Sequence, residues 1–172
     1  MKRFKIQEKP QLIPFSKKID SRGYFSTPFG NEEISRLNTS ETYISLSHTN
    51  LAHTVRGMHF QKEPYSEAKL LKVIHGSIFD ILFDLDESRP IDQRIYQFEL
   101  SENDDVCLYI PRGYAHGYQT QTDNVLLLYA LDSKFSKEHT SGYTPMSESF
   151  AKLWPYRPLN VKPEDLSWPT LN

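Results

Sequence analysis

The chain has 172 residues, a length that argues for one domain and leaves room for a second only if it is very small. Its 20 basic and 22 acidic residues leave a formal charge of −2, which excludes a broadly basic nucleic-acid binder but still allows a local basic pocket for a phosphate. The single cysteine, Cys107, excludes an internal disulfide framework and a multi-cysteine zinc site, and it suits a cytosolic protein.

Tyrosine and phenylalanine number 10 each against only 7 glycines, a balance that favours a β-rich domain over a glycine-looped nucleotide fold. Met1-Lys2-Arg3 is basic, but Lys5, Gln7, Glu8 and Lys9 interrupt any apolar run behind it, so no signal peptide is expected. No stretch approaches the roughly 20 apolar residues of a membrane-spanning helix.

In chain order, a first strand is predicted at Phe4–Gln7, and a short helix near Asn31–Leu37 with Asn31 as N-cap and Glu32 and Glu33 in its first turn. Further strands are predicted at Thr42–Ser47, Lys69–His75, Ile78–Leu85, Ile95–Leu100, Val106–Ile110 and Val125–Leu131. Turn signals at Ser88-Arg89-Pro90, Ser101-Glu102-Asn103-Asp104 and Thr122-Asp123-Asn124 separate several of them. Short strands at this rhythm predict an all-β sandwich or barrel in place of βαβ units. Five prolines between Pro145 and Pro169 predict an irregular C-terminal wrap, anchored by Trp154 and Trp168.

Alternation in Ile78–Leu85 sets Asp80 and Asp84 on the face of Ile78 and Leu82, with Phe79, Ile81 and Phe83 on the other. A strand apolar on both faces is covered on both sides, so its carboxylates need partners or a wet cavity. Two histidines have unusual settings, Arg56-Gly57-Met58-His59-Phe60-Gln61 and Ile110-Pro111-Arg112-Gly113-Tyr114-Ala115-His116-Gly117-Tyr118. Each has a plain structural reading beside a functional one. The same holds for Lys69 as a strand-end lysine and Tyr129 as a core tyrosine. Asp165 reads as a turn cap and Arg22 as a turn residue before Gly23.

The Pro111-x-Gly113-x-x-His116 spacing resembles the second cupin motif. The usual first-motif His-x-His is replaced here by His59-Phe60-Gln61, which disfavours a metal because glutamine is a poor substitute for imidazole. Taken together, six ordered pieces resemble the dTDP-4-dehydrorhamnose 3,5-epimerase family of metal-independent cupins. They are Asp20–Phe25, Arg56–Gln61, Ala68-Lys69-Leu70, Gly76–Asp80, Ile110–Tyr118 with Tyr129, and Trp154-Pro155 ahead of Glu164-Asp165. The resemblance implies a single domain over residues 1–172. It is a cupin-type double-stranded β-helix (jelly roll) with a few short helices and the Pro-rich C-terminal segment.

By that resemblance the chain is a cytoplasmic isomerase that epimerises a nucleotide-diphospho-4-keto-6-deoxyhexose at C3, C5 or both, without a cofactor. It is also a homodimer that binds neither nucleic acid nor membrane. His59 is implied as the base, because imidazole titrates near the operating pH. Asp165 orients it, Lys69 stabilises the enolate oxygen, and Tyr129 returns a proton from the opposite face. Arg56 is implied to bind the diphosphate, helped by Arg22 from a second subunit. Gln61 and the pair His116–Asp80 complete the substrate-binding set. Four places depart from the family pattern: Tyr43-Ile44-Ser45-Leu46-Ser47 replaces its usual amide-bearing run, Thr27 stands where a glutamate is often found, Lys134-Phe135 stands where one aromatic is usual, and the usual Trp-Asn-Asp segment is absent near Pro145-Met146-Ser147. The alternatives are a metal-dependent cupin enzyme using His59 and His116, or a non-catalytic sugar-nucleotide-binding cupin.

Overall fold

The structure, a computed structural model, describes residues 8–171. The strand predicted at Phe4–Gln7 lies outside the described residues. Two antiparallel sheets face each other. The first has the order β1 (Gln11–Pro14), β9 (Val106–Ile110), β6 (Lys69–His75), β11 (Val125–Leu131), β4 (Tyr43–Thr49). The second runs β12 (Thr140–Gly142), β5 (Thr54–Gln61), β10 (Tyr114–Thr120), β7 (Ser77–Asp84), β8 (Ile95–Ser101). The two-residue β13 (Asn160–Val161) pairs parallel with β5. A small hairpin, β2 (Lys17–Asp20) and β3 (Gly23–Ser26), stands apart from both sheets.

Period-two alternation sorts side chains into three apolar layers. Leu71 and Val73 of β6, Ile78 and Leu82 of β7, Leu108 and Ile110 of β9, and Val125 and Leu127 of β11 meet between the sheets. Phe79, Ile81 and Phe83 pack outward against Phe150, Trp154 and Leu171 of the C-terminal segment. Leu70, Cys107, Tyr109 and Ala130 pack outward on the first sheet beneath Phe29, Ile34 and Leu37. The two-sided burial expected of the Ile78–Leu85 run is therefore present, and Asp80 and Asp84 both point between the sheets, fully buried.

Three expectations need correction. The first helix, α1 (Asn31–Ser35), is capped by Gly30 and not by Asn31; Glu33 reaches back so that the Gly30 N–H donates to its Oε2 at 2.8 Å. The C-terminal segment is an irregular wrap as expected, interrupted only by the four-residue α2 (Glu148–Ala151) and α3 (Pro163–Leu166) and by β13. Trp154 anchors it as expected, buried with Nε1 donating to Pro145 O at 2.9 Å, whereas Trp168 is only half-buried. Strand β5 was not among the predicted strands. Its alternation is broken at Gly57, where φ is +130° and a Cβ would collide with Gly117 Cα and His116 O of β10. Val55 and Met58, three apart, both pack outward, so Arg56 and His59, also three apart, both face inward.

Among the described residues no helix is long and apolar enough to cross a membrane.

Candidate active site

The space between the sheets opens at one end into a cleft of about 1300 Å³. Its position follows from strand parity. Lys69 shares a face with Leu71 and Val73, and Tyr129 with Val125 and Leu127, so both point inward where the apolar layer ends. Arg56 and His59 enter from β5, and His116 and Tyr118 from β10. His59 and His116 are direct cross-strand partners. The C-terminal segment closes the rim with Lys162, Asp165 and Trp168.

Two histidine–carboxylate pairs stand side by side. His59 Nε2 is 2.7 Å from Asp165 Oδ1, and Gly57 N–H donates to Asp165 Oδ2 at 3.4 Å. The Asp165 side chain is only 6% exposed while that of His59 is 38% exposed, so the carboxylate is sheltered and the imidazole reaches the cleft. An ionised carboxylate only accepts, which assigns the hydrogen to Nε2 and leaves the lone pair on Nδ1. Nε2 of His116, at the cleft wall, is 2.7 Å from Oδ2 of the fully buried Asp80, and Asp80 Oδ1 has no hydrogen-bond partner among the described residues. The other buried carboxylate of β7, Asp84, pairs with Arg89 and serves the fold.

Tyr129 stands on the sheet opposite His59, edge-on to His116 with ring centroids 6.4 Å apart. Its hydroxyl has no hydrogen-bond partner among the described residues. Burial above all, with smaller contributions from Tyr118 and Asp80, pushes its phenol well above the ordinary tyrosine value, against a lowering by Arg56. Lys69 Nζ is held at 2.8 Å by Glu67 Oε1, with both side chains 11% exposed. Arg56 donates to His48 O at 3.0 Å and is otherwise exposed to the cleft. Lys134, Lys137 and Lys162 join Arg56 and Lys69 as cationic lining, against Glu67, Glu164 and Asp165. A near-neutral chain thus carries one locally basic cleft.

Two residues of the implied set lie elsewhere. Arg22, at the tip of the β2–β3 hairpin, is 88% exposed and paired with Asp20 at 2.6 Å, away from this chain's cleft. Gln61 is buried behind the cleft wall and its carboxamide is used internally, accepting from Ser136 N–H at 2.6 Å and donating toward Glu67 Oε2 at 2.8 Å. Sequence reasoning missed Glu67. The signal was its place two residues before Lys69 at a strand entry, which puts both on one face. Phe135 lines the cleft beside Lys134.

Among the described residues no group of three or more His, Cys, Asp or Glu is arranged to hold a metal ion. Both Nε2 atoms of the cleft histidines are engaged by carboxylates instead.

The sequence profile of the family described as dTDP-4-dehydrorhamnose 3,5-epimerase matches residues 7–172. The chain belongs to the dTDP-4-dehydrorhamnose 3,5-epimerase family. It is 32% identical over 165 residues to the dTDP-4-dehydrorhamnose 3,5-epimerase of Sinorhizobium fredii, covering 94% of this chain and 84% of that one. It superimposes on the Bacillus anthracis dTDP-4-dehydrorhamnose 3,5-epimerase, solved with TDP and PPi bound, with a TM-score of 0.85 at 28% identity over 94% of each chain. The fold also matches a 3'-monoepimerase from Streptomyces bikiniensis solved with dTDP-quinovose, at a TM-score of 0.81 and 18% identity over 96% of this chain and 85% of that one. The architecture is the cupin jelly roll, and the chain is an isomerase, an epimerase of nucleotide-linked carbohydrates.

Proposed function

We propose that the chain inverts one or both carbons flanking the ketone of a dTDP-linked 4-keto-6-deoxyhexose, with His59 as base and Tyr129 as acid. The observation that carries this reading is their origin on opposing sheets of one cleft. An epimerase must remove a proton from one face of a carbon and return one to the other. His59 Nδ1 takes the proton α to the ketone, and Asp165 stabilises the imidazolium that forms. Negative charge gathers on the ketone oxygen. An ammonium has three donors, and Lys69 spends one on Glu67, which leaves two for that oxygen. The raised Tyr129 phenol stays protonated, so it can donate to the enolate carbon from the far side. The proton on His59 then returns to solvent and Tyr129 is reprotonated, completing the cycle.

Arg56 and the rim lysines suit the diphosphate, with planar guanidinium matching its oxygens. His116, held by Asp80, is a substrate-side contact beside Tyr129. Arg22 takes part through a second copy of the chain. The outer edge of β4, unpaired among the described residues and with Ile44 and Leu46 exposed, and the exposed Ile19, Tyr24 and Phe25 of the hairpin support a dimer. A monomer in light scattering after gel filtration would remove Arg22 from the site.

The function is tested by incubating the protein in heavy water with dTDP-, CDP- and GDP-linked 4-keto-6-deoxy sugars and following deuterium by NMR. Entry at C3, at C5 or at both, fastest with the dTDP sugar, is expected. No exchange with any donor overturns the reading.

A further inference from the structure

A polar chain runs from the cleft into the wall behind it. Lys69 Nζ has one hydrogen-bond or ion-pair partner among the described residues, Glu67 Oε1. The other carboxylate oxygen, Glu67 Oε2, lies 2.8 Å from Gln61 Nε2. The same Gln61 carboxamide brackets Phe135. Its Nε2 shares two hydrogens among Glu67 Oε2, Tyr65 O at 3.0 Å and Lys134 O at 3.2 Å, and its Oε1 accepts from Ser136 N–H at 2.6 Å. The far end of this segment is fixed as well, since Asp132 Oδ1 accepts from Ala68 N–H at 2.8 Å, one residue before Lys69. Phe135 itself is 75% exposed and lines the cleft. The clamp therefore places the Phe135 backbone at the cleft, with its ring exposed there.

We propose that Glu67 and Gln61 are positioning residues: Glu67 aims the Lys69 ammonium at the enolate oxygen, and Gln61 locks that carboxylate to the backbone on both sides of Phe135. The inference rests on the role proposed above for Lys69. Without the carboxylate the ammonium is free to swing about its four-carbon stem, and its two remaining donors lose their aim. Misplacement of a catalytic group by about 1 Å costs on the order of 100-fold in rate. Without Gln61 the carboxylate loses one anchor, and the Phe135 backbone loses two.

Glu67→Gln is the decisive variant because it keeps the shape and removes the charge. Steady-state turnover of the dTDP-linked 4-keto-6-deoxy sugar is measured beside dTDP affinity by calorimetry. The expected result is a kcat lowered at least fivefold with the dTDP Kd within threefold, and Gln61→Ala shifted the same way by a smaller factor. A kcat lowered less than fivefold overturns the proposal. So does a loss of kcat with a parallel loss of dTDP affinity, which marks a merely structural role. Failure of the underlying reading is seen separately: there the unmodified protein itself shows no turnover, or Lys69→Ala turns over at the full rate.

Discussion

His59 and Asp165 stand 106 residues apart in the chain and 2.7 Å apart in space. Their pairing gives each a defined task, since the buried carboxylate fixes the ring and leaves one nitrogen free to accept a proton. Tyr129 is the complementary case, with a hydroxyl that has no hydrogen-bond partner among the described residues and a phenol that burial keeps protonated. Its proton is therefore retained through the pH range in which an exposed tyrosine ionises. At this scale His59→Ala and Tyr129→Phe should each lower epimerisation by about 10²–10⁴-fold, the usual contribution of a positioned acid or base. Both should leave the far-ultraviolet circular dichroism and the melting temperature close to the parent values. Full activity in both variants would remove the assignment. His59, Lys69, Tyr129, Asp165, Arg56, His116 and Asp80 could be named from the sequence because each sits in a short ordered motif. Glu67 was missed although its place two residues before Lys69 was a local signal, and the clamp made by Gln61 could not be read because its bonds to Lys134 O and Ser136 N–H span 73 and 75 residues.

Strands β6, β7, β8, β9 and β11 were legible because apolar alternation or continuous apolar runs mark them. Strand β5 was not, because its one irregular position destroys the period that reveals a strand. That irregularity is functional in consequence: it turns Arg56 and His59 onto one face, where strict alternation would send them to opposite faces. Gly57 and Gly117 make it by lying backbone to backbone. Gly57→Ala should lower stability by roughly 1–3 kcal/mol, the range for forced overpacking, and should reduce activity further by turning His59. Denaturant titration and turnover of the soluble fraction check this. An unchanged midpoint would mean that β10 yields at Gly117 without cost. The C-terminal segment was expected as a wrap from its prolines, but its delivery of Asp165 through α3 follows from tertiary packing alone.

Across the whole molecule, three layers bury four weak acids that prefer to stay neutral. Cys107 is pushed up to about 11 by burial, and Tyr109, Tyr114 and Tyr129 are all raised chiefly by the same cause. In alkali the unfolded chain ionises these groups before the folded one does, so it binds fewer protons and stability falls as pH rises. Lys72, lowered by burial, opposes this, while Tyr43 beside Glu41 and Lys17 beside Asp105 are raised and act with the four. The guanidinium midpoint should decline between pH 9 and about 11, the window set by Cys107. A midpoint that rises across that window would contradict the burial pattern. The central claim concerns the cleft between the two sheets, where a base on one sheet and an acid on the other act on opposite faces of one carbon. The most direct test follows deuterium and configuration together in heavy water for the unmodified protein, His59→Ala and Tyr129→Phe. The account predicts exchange with inversion in the first, neither in the second, and exchange with retained configuration in the third, because His59 can return what it removes. Inversion at the full rate by Tyr129→Phe, or undiminished exchange by His59→Ala, would contradict it.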